Sequence, residues 1–146
     1  MKRKKKVQRN ERYFTNSGIK GYEPLMIIAL NHKDLDVWRK SINLVKQVYR
    51  LIENMPDSER FGLTNQMKRS AVSITSNIAE GAARESDKEF VQFLYYSLGS
   101  IAELETQLII SQELGFLTIM QEVEDDLQRT RQIILGLIRY LKSKKK

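Results

Sequence analysis

The sequence contains no cysteine and a single histidine, His32, and these two shortages exclude more chemistry than any motif in the chain supplies. Without thiols there can be no disulfide framework, no thiolate metal site and no cysteine nucleophile, and a reducing, cytoplasmic setting fits. With one imidazole, placed ahead of the first patterned segment, there is no Glu-x-x-His pair for a di-metal bundle site and no histidine base to activate a serine. Glycine-rich phosphate loops, zinc-ligand spacings and a helix-turn-helix signature are all missing. The longest apolar run, Leu25 to Leu30, is about a third of the roughly 20 residues that a membrane span needs, so neither an anchor nor a signal peptide is expected. No cofactor, metal or catalytic residue is assigned, and the expectation is a protein that is not an enzyme.

The 146 residues suit one domain. Their net charge of +7 is unevenly placed. Residues 1–25 hold eight Lys or Arg against Glu11 and Glu23, and residues 142–146 hold four lysines, whereas residues 26–141 hold 13 basic and 16 acidic side chains. The patterned body is mildly acidic, and the cationic excess lies in the tails. A basic, disordered arm is expected over 1–30, a helical body over 31–142 and a lysine tail over 143–146. Met26, directly before the patterned region, is an alternative start to Met1.

Apolar residues in the body recur at helical spacing, and no useful stretch alternates with period two, so the fold predicted is an all-α, antiparallel, up-down-up-down four-helix bundle. Helix 1 is predicted over 35–54, capped by Asp34 and stopped by Pro56, with one stripe through Leu35, Trp38, Ile42, Val45, Tyr49 and Ile52 and a second through Val37, Leu44, Val48, Leu51 and Met55. Helix 2 is predicted over 61–83, with Leu63, Met67, Ala71, Ile74 and Ile78 facing the core. Helix 3 begins at a Ser86–Glu89 capping box and runs to Leu114, with Gly115 closing it. Helix 4, capped by Thr118 with Gln121, follows Ile119, Val123, Leu127, Thr130, Ile134, Leu137 and Leu141. Helices 1 and 3 carry more apolar surface than one bundle seam hides. Self-association follows, and Val37, Leu44, Val48, Phe90 and Phe93 are the candidate interface residues.

Three groups of polar residues are candidates for function. Arg39, Asn43, Lys46 and Arg50 fall on one edge of helix 1 and, with Lys68 and Arg69, fit either a phosphate-tracking ridge for RNA or a solvated polar face. Asn77, Glu80 and Glu105 lie near core stripes and read as buried polar groups, with Arg69 or Arg84 the basic partners at hand for Glu105. Tyr140, between Arg139 and Lys142, is the one ring in a setting suited to base stacking.

Four segments, L-D-V-W (35–38), F-G-L-T-N-Q-M-K-R-S-A-V-S-I (61–74), S-N-I-A-E-G (76–81) and F-L-Y-Y-S-L-G-S-I-A-E-L-E-T-Q-L (93–108), resemble in order and spacing a bacterial family of four-helix-bundle proteins first noticed as reading frames inside intervening sequences of 23S ribosomal RNA genes. Thr75 stands where relatives often have proline. The resemblance implies an antiparallel bundle and a homopentamer, and no catalytic role. A similar fold serves as the accessory protein of diversity-generating retroelements, where a basic pentamer engages reverse transcriptase and RNA. On this footing the expected partners are further copies of the chain, together with structured RNA or a nucleic-acid enzyme; the alternative is a protein-interaction or structural oligomer with no nucleic-acid role.

Overall fold

The structure, a computed structural model, describes residues 31–144. The arm expected over 1–30 and the last two lysines of the tail lie outside the described residues. Within them the chain forms four helices and no strand: α1 (Asp36–Leu51), α2 (Leu63–Ala82), α3 (Asp87–Glu113) and α4 (Gln121–Ser143), with three short 3₁₀ turns at His32–Asp34, Ile52–Asn54 and Asp57–Glu59. The four helices make one bundle, in which α1 and α3 each pack against α2 and α4.

The helix ends show which local signals operate. Asp34 does not cap α1. It belongs to a reciprocal box one turn earlier, its carboxylate accepting from the Asn31 N–H at 2.7 Å while the Asn31 side chain accepts from Lys33 N–H at 2.8 Å. The helix itself starts after Leu35, without a side-chain cap, and its expected last turn tightens into the 3₁₀ turn Ile52–Asn54. The start of α2 is capped from outside, by Glu59 accepting from Leu63 N–H at 3.1 Å. A Cβ on Gly62 would stand 2.6 Å from that carboxylate oxygen, so glycine leaves the room the cap needs. Ser86 caps α3 as expected, accepting from Glu89 N–H at 3.2 Å. Gly115, at φ 76°, ends α3 in a Schellman motif, with Phe116 N–H donating to Ser111 and Gly115 N–H to Gln112, both at 2.9 Å. The Thr118 cap does not form. Gln112 instead accepts from Ile119 N–H at 2.8 Å, and α4 starts after Met120 with no side-chain cap.

Every helix contributes fully buried side chains to one core, among them Leu44 and Val48, Met67 and Ile74, Phe90 and Leu94, and Ile134 and Leu141. This corrects the expected subunit interface. Val37, Leu44, Val48 and Phe90 are spent inside their own bundle and have no surface left for a neighbour. On α1 the second stripe turns inward, and of the first only Leu35 at the start and Ile52 just past the helix end are buried. Val37, Leu44, Val48 and Leu51 point inward, whereas Trp38, Ile42 and Val45 are half-buried and Tyr49 is exposed.

The tightest seam joins α2 to α3, and small polar residues build it. Ser97 donates to the Ile74 carbonyl at 2.9 Å, Ser70 to the Gln107 side chain at 2.9 Å, and Ser100 meets Ser73 at 2.9 Å. As residue numbers rise along one helix they fall along the other. At the end of this seam Gly81 lies against the Phe90 ring and the Phe93 Cβ. A Cβ there would come within 2.6 Å of Phe90 Cδ2 and 2.7 Å of Phe93 Cβ, the latter too close to the backbone to swing aside. Gly81→Ala is therefore expected to lower unfolding free energy by about 1–3 kcal/mol, through overpacking. Gly99→Ala, in α3 where a Cβ would meet nothing within 4 Å, is expected to raise it by about 1 kcal/mol, from helix propensity alone. Urea denaturation of both variants checks the contrast, and equal effects would contradict it.

Candidate functional site

The six positions proposed for polar chemistry on α1 and α2 do not form one ridge. Arg39, Lys46, Arg50, Lys68 and Arg69 are all exposed. Arg39 is engaged locally, donating from Nε to the Lys33 carbonyl at 2.9 Å and lying 4.0 Å from Asp34. On its other side it shares a surface hollow with Asp126 and Arg129 of α4. Lys68 reaches α1 by placing its ammonium 5.5 Å from the centre of the Tyr49 ring. Arg69 is turned about 100° further round α2, and its neighbours at i−3 and i+4, Gln66 and Ser73, line the groove toward α3. Lys68 thus reaches Tyr49 on the same helix as Lys46 and Arg50, while Arg39 and Arg69 belong to two different flanks.

The buried-polar assignments change as well. Glu80 is exposed, its side chain 53% accessible, and pairs with Arg84 at 2.7 Å one turn along the chain. Arg84 in turn stacks 4.8 Å from the centre of the Phe93 ring, which meets Tyr96 edge to face at 5.4 Å. Asn77 is half-buried and bonds within its own helix, donating to the Ser73 carbonyl at 2.9 Å and not across to a neighbour. Glu105 is half-buried, and its partner is neither Arg69 nor Arg84 but Arg131 of α4, whose Nη2 donates to Glu105 Oε2 at 2.6 Å while Nη1 donates to Gln128 at 2.8 Å. The first of these bonds joins α4 to α3, and the second stays within α4. Arg131 stands four residues after Leu127 and three before Ile134, so its place beside the α4 core stripe was readable, but nothing in the chain ties it to a residue 26 positions earlier.

Two surface features were not singled out by periodicity. The first is a groove of about 900 Å³ between α2 and α3, with Ser73, Asn77, Gly99 and Ser100 among the residues that line it and Tyr95, Tyr96 and Ile110 at its edges. Tyr96 is 50% and Ile110 41% exposed. Helix 3 was read as apolar around most of its circumference. The structure divides that circumference into an inner face, which fills the core, and an outer one in which Tyr95, Tyr96, Ile109, Ile110 and Leu114 remain open. The second is the end of α4, where Lys142 donates to the Tyr95 hydroxyl at 2.9 Å and lies 5.0 Å from that ring's centre, and Lys144 sits 4.0 Å from the centre of the Tyr140 ring. The base-stacking setting expected at Tyr140 is therefore shared with Tyr95, and in both cases a lysine already covers the ring.

Among the described residues no three His, Cys, Asp or Glu side chains gather as a metal site, and no helix is long and apolar enough to cross a membrane. His32 packs against Trp38, ring centroids 5.2 Å apart.

The class defined by these features is an all-helical four-helix bundle with open apolar and cationic surfaces. Residues 33–136 match the family model described as 23S rRNA-intervening sequence protein, a span reaching from the 3₁₀ turn ahead of α1 into α4. The chain belongs to that family. No curated protein matches it.

Because Glu105 and Arg131 are only partly shielded, at 34% and 25% side-chain accessibility, their pairing is worth about 1 kcal/mol. Glu105→Gln is expected to lower the melting temperature modestly. A double-mutant cycle with Arg131→Gln is expected to return a coupling of about that size, and zero coupling would show the pair to be idle.

Proposed function

We propose that the protein is a non-catalytic, cytoplasmic, homo-oligomeric scaffold that holds RNA at one end of an antiparallel, up-down-up-down bundle. The observation that carries this reading is the segregation of charge. Residues 1–25 and 142–146 hold 12 of the 25 basic side chains and only two of the 18 acidic ones, which leaves the body negative. In up-down-up-down order the start of α1 and the end of α4 lie at the same pole, so both cationic segments join the bundle there. The side-chain pairings support that order. Arg131 meets Glu105 near the middle of α3, and Lys142, eleven residues on, meets Tyr95, ten residues back. At the pole the exposed Lys142 and Tyr95 add an ammonium group and a ring to the charge of the tails, a combination that suits an unpaired polyanionic strand.

Self-association has separate support. Tyr49, Val72, Tyr95, Tyr96, Ile109, Ile110 and Leu114 are exposed on α1, α2 and the outer side of α3. Monomers seldom leave that much apolar surface open, and closed cyclic assembly is the common way to cover it. A ring of five is the stoichiometry implied by the family resemblance. A nucleic-acid enzyme bound beside the RNA is compatible with the same pole.

RNA binding by the full chain and by truncated chains 26–146 and 26–141, measured across a salt series, tests the reading. The full chain is expected to bind with a steep salt dependence, each phosphate contact to a single strand contributing about 0.7 to the slope. Loss of affinity and of slope is expected at each truncation. Binding that survives both truncations and disappears in Lys46→Glu/Arg50→Glu would move the site to α1. No binding by the full chain at low salt would leave a protein-interaction oligomer with no nucleic-acid role.

A further inference from the structure

We propose that the hollow between α1 and α4 is a phosphate-binding site, built from Arg39, Lys40 and Asn43 on one helix and Arg129 and Thr130 on the other. It takes a phosphate group, whether free, on a small phosphomonoester or in a nucleic-acid backbone, and it does not depend on the RNA-holding pole proposed above.

The register of the two helices makes the site. Gln47 Nε2 donates to Glu122 Oε1 at 2.9 Å, which sets α1 against α4 at one level. One turn away along each helix stand Asn43 and Asp126, and a further turn brings Arg39 and Lys40 opposite Arg129 and Thr130. These six residues line about 290 Å³ of space.

The donors in it are uncommitted. Arg39 Nε donates to the Lys33 carbonyl at 2.9 Å, which holds its guanidinium in place. Its Nη2 stands 4.0 Å from Asp34, and Arg129 Nη1 stands 3.6 Å from Asp126. Both separations exceed hydrogen-bond length, so neither carboxylate takes up the Nη hydrogens. Lys40 is half-buried, and among the described residues it has no ion pair and no hydrogen bond. Thr130 is only 1% exposed, and its hydroxyl likewise has no hydrogen-bond partner there. Shielded polar groups without partners are costly, and a ligand that supplies acceptor oxygens removes the cost.

Charge and donor geometry select the ligand. The lining holds three cations against the single carboxylate of Asp126, with Asp34 and Asp36 outside it. That excess runs against the body as a whole, where residues 26–141 hold 13 basic and 16 acidic side chains. A carboxylate has too few oxygens to engage both guanidinium forks and the ammonium, whereas a phosphate offers one to each. Among the described residues α4 presents none of the exposed large apolar side chains, so the α4 wall of the hollow stays open when copies associate through other helices.

The test is thermal melting of the full chain in inorganic phosphate against chloride at equal ionic strength, with two charge-matched variants. Lys40→Gln/Arg129→Gln removes two cations from the hollow, and Arg60→Gln/Lys68→Gln removes as many from exposed positions elsewhere. Phosphate at ten times its Kd is expected to raise the Tm of the full chain and of the second variant by about 2–4 °C, and to leave the first unmoved. Should the first variant lose helix content by circular dichroism, Lys40→Gln alone is expected to lose most of the shift. No shift in the full chain, a shift kept without the two cations of the hollow, or equal loss in both variants would overturn the site. Affinity for a single-stranded RNA oligonucleotide then separates the sources. A value at least threefold weaker in Lys40→Gln/Arg129→Gln than in the control variant assigns the site to backbone phosphate, and equal values assign it to a free phosphate or monoester. A full chain that responds to phosphate but binds no RNA would sink the RNA reading and leave this site standing.

Discussion

The close approach of α2 and α3 is the constraint on which the rest of the molecule depends. Two helices come this near only where side chains are small, and here the contact is built from Ser70, Ser73, Ser97, Ser100 and Gly81. Each hydroxyl on the seam also needs an acceptor, because a buried donor left without one costs about 1–3 kcal/mol. Ser70, Ser97 and Ser100 meet that need by donating across to the partner helix. Behind the seam, Phe90 and Leu94 reach the common core. In front of it, the same small residues leave a shallow channel that nothing in the subunit fills. Tight packing inside and an open groove outside are two consequences of one choice of residues.

Charge follows a second division. The helices that carry open apolar surface are also the ones with opposed charge, basic on α1 and acidic on α3. On α4 the two signs balance, and there Glu105–Arg131 and Gln47–Glu122 tie the fourth helix to its neighbours, at 2.6 and 2.9 Å. Polar contacts on α4 therefore serve the subunit. On the other helices several charged groups point outward around exposed rings, where they can choose a partner and set its orientation more than they add to affinity.

Much of this was legible in the chain. The core stripe Met67, Ala71, Ile74 and Ile78, the stripe Val123, Leu127, Thr130, Ile134, Leu137 and Leu141, the Ser86 cap and the Gly115 stop are local signals, and local signals are what a sequence carries. Failures came where distant residues decide. Two apolar stripes on α1 were visible, but which faces inward depends on where α2 and α4 lie, so Val37, Leu44 and Val48 were assigned to the outside when they are the inside. Phe90 was displaced for the same reason. The partner of Glu105 lies on the next helix, the exposure of Glu80 follows from its place at the end of α2, and the Thr118 cap lost to Gln112, a side chain seven residues before the amide it satisfies. The groove had no signal of its own, since a serine that closes a helix contact and a serine that floors a channel look alike in the sequence.

The central claim is that α1, α2 and α3 are covered by another copy of the chain and α4 is not. Covalent footprinting of the full chain at rising concentration measures this face by face. Labelling at Tyr49, Tyr96 and Ile110 is predicted to fall as the protein is concentrated, while the outward residues of α4, Gln128 and Arg139 among them, keep theirs. Uniform labelling of all four helices at every concentration would contradict the account.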